Sequence, residues 1–200
     1  MGRHRSLDID KALPLIVRLF WRHGYDGITL DQVAQKLGVT KPTLYRSLGD
    51  KEEIFAKALV SYHTEFIKPG EDRLETAPNL ESALTACFDV ATSRMLNNQN
   101  PTGCFLTDTG LIGSIPVGPV SEILLKLQER AIRILNKRIA EAIDKGELEP
   151  ATSASAVLQY VNSQMAALSA LSHQKVSKSE LRTIVAFMLQ GLPWTRPESG

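Results

Sequence analysis

TLDQVAQKLGVTKPTLYRSLGDK, residues Thr29 to Lys51, reads as two short helices joined by a tight turn. Thr29 is a good N-cap, with Gln32 three residues on as its capping-box partner. Leu30, Val33, Ala34 and Leu37 then recur at helical spacing. Gly38, free to take positive φ, ends this helix and turns the chain. Thr40 caps the next helix and Pro42 falls in its first turn, where a missing N–H costs nothing. That second helix, Lys41 to Leu48, buries Leu44 and Leu48 and presents Lys41, Thr43, Tyr45 and Arg46 on its other face. Cations neutralise phosphates, and hydroxyls bond phosphates or base edges, so the pair is expected to dock as a helix-turn-helix with its second helix in the major groove. A solvated polar face on a small helical bundle would show the same spacing.

Working outward, Asp8 or Asp10 to His23 is an amphipathic helix with Leu13, Ile16, Val17, Phe20 and Trp21 inside. Pro14 favours a start near Lys11, which places the proline in the first turn. Gly24 ends this helix, and Tyr25 and Ile28 complete the small core. Asp50, with Glu53, caps a fourth helix whose stripe is Ile54, Phe55, Ala58, Leu59, Tyr62 and Phe66; Lys51 at its start is placed to hold a phosphate. Lys68-Pro69-Gly70 is read as the stop of that helix and Glu71 to Asn79 as a polar connector. Arg3, His4 and Arg5 form a short basic arm, either groove-reaching or merely solubilising.

In this order the residues His23-Gly24-Tyr25, Ile28-Thr29-Leu30, Val33-Ala34, Leu37-Gly38-Val39, Thr43-Leu44-Tyr45, Lys51-Glu52 and Phe55 resemble the DNA-binding domain of the TetR family of bacterial transcriptional regulators. The resemblance covers about Ala12 to Phe66. It departs at Arg46, Ser47 and Leu48, where the family commonly carries an aromatic or His and then Phe, so Arg46 would have to supply the phosphate contact a His gives at Ser47. The DNA-contacting set it implies is Thr29, Thr40, Lys41, Thr43, Tyr45, Arg46 and Lys51.

Past Asn79 the chain reads helical to Gly191, with segments at Leu80–Asn97, a short irregular stretch from Gly103 to Gly113, Val120–Lys145, a helix from Thr152 or Ser153 to Ser172, and a last one opened by a Ser177/Glu180 capping box. The expected architecture is therefore all-α, with about nine helices. An N-terminal three-helix helix-turn-helix domain (1–50, to about 66 with the linking helix) precedes a C-terminal helical ligand-binding and dimerisation bundle (71–200). The resemblance implies a homodimer through the last two helices, a palindromic operator, and repression relieved by a small, mostly apolar effector. Phe88, Met95, Phe105, Asp108 and Leu111 are the expected lining of its cavity, with Arg94, Asp108 or Gln128 as polar anchors; all the apolar ones are equally good core residues.

Composition narrows the rest. Residues 1–70 carry 11 Lys plus Arg against 8 Asp plus Glu, a mild positive excess at the motif-bearing end in a chain of net charge +1. Cys87 and Cys104 have no CxxC or His at ligand spacing, so neither metal nor cofactor is expected. No apolar run reaches membrane-spanning length and no signal-peptide core opens the chain, which points to a cytoplasmic protein. Nothing converges on Cys104 as a nucleophile would require, so an enzyme is not expected. Two other readings stay open: a helical adaptor that borrows the N-terminal fold, and a regulator that senses redox through Cys104. The Gly103-Cys104-Phe105-Leu106 run also resembles an element of one TetR subgroup.

Overall fold

The computed structural model describes residues 7–112, 118–174 and 176–195, without the side chains of Leu111 and Ile112; the basic arm Arg3, His4 and Arg5 lies outside the described residues. In chain order the helices are α1 (Ile9–His23), α2 (Leu30–Leu37), α3 (Lys41–Leu48), α4 (Lys51–Tyr62), a π-helical segment (His63–Ile67), α5 (Lys68–Thr76), α6 (Leu80–Met95), α7 (Phe105–Ile112), α8 (Pro119–Asp144), α9 (Ala154–His173) and α10 (Lys178–Gln190). Counting α4, the π segment and α5 as one helical run gives nine among the described residues, and no strand is present among them. None of the described helices is long and apolar enough to cross a membrane.

Local chemistry sets most helix ends. The Thr29/Gln32, Asp50/Glu53 and Ser177/Glu180 capping boxes all form, and Asn79 and Ser153 cap α6 and α9. Gly38 takes the left-handed conformation (φ 67°) and its N–H bonds the carbonyls of Ala34 and Gln35, closing α2. Two expectations need correction. α1 starts at Ile9, capped by Asp8, so Pro14 sits inside the helix rather than in its first turn. The loss of one intrahelical bond is outweighed by the apolar face that α1 buries through Ala12, Ile16, Val17, Leu19, Phe20 and Trp21. Lys68-Pro69-Gly70 does not stop the helical path either, and Glu71–Thr76 is helix, not connector. Pro69 falls in the first turn of α5, where its missing N–H is harmless, and the π segment absorbs the change of register.

The chain divides into two compact units, residues 1–65 with 104–127, and 66–103 with 128–200. This is not the linear 1–66/71–200 division read from the sequence, because α7 packs with the N-terminal helices. Its Phe105 stands edge-on to Phe55 (ring centroids 5.4 Å) and Tyr62 (5.5 Å), extending an aromatic cluster in which Phe55 also meets Phe20 (4.9 Å) and Tyr25 (5.1 Å). Such edge-to-face pairs add about 0.5–1.5 kcal/mol each beyond the area they bury. The stretch read as short and irregular is thus a helix held by tertiary contacts.

The second unit is built from α5, α6, the C-terminal part of α8, α9 and α10. Glu71, 3% exposed, accepts from Arg130 Nε at 2.8 Å, and the Glu147 carboxylate accepts from the Leu80 N–H at 2.7 Å. Tyr160 donates to the Met188 carbonyl (2.9 Å), joining α9 to α10.

Candidate nucleic-acid interface and effector cavity

The helix-turn-helix is positioned by its buried side. Val33, Ala34, Leu44 and Leu48 are all under 4% exposed, and Lys57 of α4 donates to the Leu48 carbonyl at 2.8 Å, holding the C-terminal end of α3. What α3 leaves outside is Lys41, Pro42, Tyr45 and Arg46, with Tyr45 58% exposed. An aromatic that open on an eight-residue helix contributes little to the fold, and its surface is available to a partner.

Thr43 does not share that exposed face. It is 7% exposed, and its hydroxyl lies 2.9 Å from that of Thr40, inside the turn. Thr29 and Thr40 are exposed at the starts of α2 and α3, where their hydroxyls accept from the Gln32 N–H (3.2 Å) and the Thr43 N–H (3.4 Å). Lys51 begins α4 with its ammonium 4.5 Å from the centre of the Tyr25 ring, a cation–π contact that holds it beside the first-turn N–H groups. Burial pushes the Tyr25 phenol up, with Glu52, Asp50 and Asp26 adding to the shift. One residue of this surface escaped the sequence reading: Asp31 of α2 binds Lys41 Nζ at 2.8 Å, both side chains more than half exposed. The pairing spans two helices, so helical spacing carried no sign of it.

The second unit contains a cavity of about 110 Å³. Phe66, Ile67, Gly70, Glu71 and Leu74 line it from the π segment and α5, Leu84, Cys87, Phe88, Ala91 and Arg94 from α6, and Leu135, Val161 and Met165 from α8 and α9. Of the described residues expected in such a cavity, Phe88 and the anchor Arg94 are in its wall. Met95 is buried outside it, and Gln128 is exposed. Phe105 and Asp108 belong to the other unit, Phe105 to the aromatic cluster, while Asp108 accepts from the Cys104 N–H at 3.2 Å. Leu111 lies in α7, its side chain outside the described residues. Phe88 and Arg94 of α6 and Phe105 and Asp108 of α7 thus fall in different units. The missed wall residues had a signal, Ile67, Gly70, Glu71 and Leu74 at helical spacing, which the Pro-Gly pair masked.

The two thiols belong to different units. Cys104 is 6% exposed and accepts from the Tyr62 hydroxyl at 3.5 Å. Burial pushes the Cys87 thiol up to about 11, against a smaller pull from Arg94, so it is protonated near neutrality.

A capped helix pair with a polar, aromatic-bearing second helix, followed by an all-α bundle, is the architecture of a helix-turn-helix regulator. Family comparison agrees: the model described as "Bacterial regulatory proteins, tetR family" matches residues 15–58, and "Tetracyclin repressor-like, C-terminal domain" matches 81–187. The chain belongs to the TetR family of bacterial regulatory proteins. Among its relatives, the HTH-type transcriptional repressor ComR of Escherichia coli K12 is 26% identical over 193 residues, covering 96% of this chain and 92% of ComR. An uncharacterized regulator of Bacillus subtilis, YezE, is 25% identical over 164 residues (81% and 84%). The fold is shared with a cysteine-substituted form of the TetR family regulator CifR solved on a 26-bp operator DNA (TM-score 0.82, 24% identity, 96% of this chain and 100% of that one). It is shared as well with AibR in complex with isovaleryl coenzyme A and operator DNA (TM-score 0.72, 15% identity, 91% and 98%).

Proposed function

We propose that this protein is a cytoplasmic repressor that binds a palindromic operator as a homodimer and is released by a small, mostly apolar effector. The observation that carries the reading is the exposed Lys41, Tyr45 and Arg46 face of α3, ordered by a capped turn and flanked by Lys51. Lys41 and Tyr45 sit in the N-terminal half of the helix, the part that meets base edges. Lys51 and Arg46 serve as phosphate contacts, as do the Thr29 and Thr40 hydroxyls at the helix starts. Dimerisation through α9 and α10 places two copies of α3 one helical turn of DNA, about 34–36 Å, apart. The apolar cavity of the second unit supports the effector part. A ligand there releases DNA only by the difference in its affinity for the bound and released conformations, and DNA weakens the ligand by the same factor.

The test is retention of sheared genomic DNA on the purified protein, followed by sequencing. A single enriched palindrome, bound with affinity that falls steeply as salt rises, is the expected result. Diffuse retention alone, or none, favours the adaptor reading. Redox sensing through Cys104 has less behind it, since a buried thiol on a tyrosine hydroxyl is shielded from oxidants.

A further inference from the structure

The chemistry of the cavity wall narrows what it can take. An apolar cavity of about 150 Å³ accepts benzene, so one of about 110 Å³ has room for roughly five or six non-hydrogen atoms. Leu84, Phe88, Leu135, Val161 and Met165 make most of the surface hydrocarbon. Its ionisable side chains differ in what they offer. Glu71 is engaged by the Arg130 guanidinium at 2.8 Å, Cys87 is a neutral thiol, and Arg94 brings a guanidinium that is itself only 7% exposed. Among the described wall residues Arg94 is the one cation. With five N–H donors in a rigid fork, it can receive a carboxylate while keeping the interactions it already makes. An ammonium ligand meets the opposite situation, repelled by Arg94 and with Glu71 already held by Arg130.

We propose that the ligand this cavity is built to hold is a compact aliphatic monocarboxylate of about three or four carbons, its tail against Phe88 and Val161 and its carboxylate on Arg94. The proposal rests on the reading of this cavity as the effector site, and it adds the charge and size of the occupant.

Calorimetric titration of the intact protein with butanoate, butanamide and butylamine tests it, since the three share a tail and differ in head group. The expected result is butanoate binding at least tenfold tighter than butanamide, with no butylamine binding. Arg94→Gln should erase that preference and Arg94→Lys keep most of it, with circular dichroism confirming that each variant is folded. Equal binding of acid and amide, or no binding by either, overturns the proposal, and this arm needs no variant. Operator retention in the presence of butanoate is read separately. Arg94-dependent binding that leaves DNA retention unchanged keeps the carboxylate site and removes the effector reading. Release by benzene but not by butanoate, blocked by Ala91→Phe, keeps the effector reading and removes the carboxylate.

Discussion

Lys41 and Asp31 hold each other at 2.8 Å on the surface expected to face DNA, and the pair has a cost and a use. As an exposed ion pair it contributes at most about 1 kcal/mol to stability. Beside a phosphate, however, the Asp31 carboxylate opposes binding wherever Lys41 is not drawn away to a base edge, so it penalises random sequence more than the operator. We therefore expect Asp31→Asn to raise affinity for random duplex DNA about threefold to tenfold, with a smaller gain on the operator, measured by fluorescence anisotropy at fixed salt. An unchanged ratio of the two affinities would show that Lys41 does not leave Asp31 on binding. Lys51→Ala should behave differently, weakening all sequences alike and lowering the slope of log affinity against log salt by about one. Cys87 gives a pH test. Because burial raises its thiol to about 11 from an ordinary value near 9, the folded state disfavours the thiolate. The stability it contributes is full below pH 9 and is lost as pH rises through 11. Alkylation of Cys87 by iodoacetamide, followed by mass spectrometry, should be slow at pH 7.5 and accelerate through that same window. Prompt reaction at neutral pH would reopen the redox reading. Thr43 marks the limit of legibility at this scale: its place in the motif suggested DNA, but which side of a two-turn helix a residue takes depends on what α3 packs against.

Element boundaries were legible where they are set by contacts three or four residues apart. Thr29 with Gln32, Asp50 with Glu53, Ser177 with Glu180 and Gly38 after Leu37 each satisfy backbone groups locally, so the residue types alone announce them. They should also be measurable: Asp50→Ala removes the acceptor of the Glu53 N–H (2.9 Å) and is expected to cost about 1 kcal/mol in urea unfolding. A loss well under 0.5 kcal/mol would mean that the packing of Ile54 and Phe55 fixes the start of α4 without the cap. Boundaries decided by burial were not legible. Pro14 is tolerated inside α1 because six residues of that helix are buried, and Pro69 opens α5 instead of ending α4 because Gly70, Glu71 and Leu74 go inside. Local breaker rules weigh the lost hydrogen bond and cannot weigh the buried face. The same holds for α7, where Phe105 finds Phe55 fifty residues earlier, a contact with no trace in periodicity. The cavity inherits this: Phe88 and Arg94 were legible as inward residues of α6, while the α5 side of the wall was hidden behind the misread proline.

At the scale of the whole molecule, an operator-binding function needs a second copy, and the described surface offers a place for it. Phe187 of α10 is 64% exposed while Leu181, Val185 and Met188 of the same helix are buried, so α10 holds an aromatic away from its packed face. A lone exposed phenylalanine is unremarkable, but this one stands on the element through which the dimer is expected. α9 leaves Ala156, Ser163 and Ala170 exposed, small side chains that let a facing helix approach closely. A buried aromatic near the centre of an interface is typically worth about 2 kcal/mol or more. Phe187→Lys adds to that loss the burial of two like charges facing each other across a two-fold axis. The expected outcome is dimerisation weakened at least about thirtyfold in sedimentation velocity. Operator affinity should fall with it, while binding to random duplex DNA, which one helix-turn-helix makes alone, should change little. The two DNA measurements keep a folding defect distinct from a lost interface, since a misfolded chain loses both. Should Phe187→Lys sediment as the parent does, the two-fold contact has to be sought elsewhere, first on α8, which exposes Leu125 (56%) and Ile132 (38%).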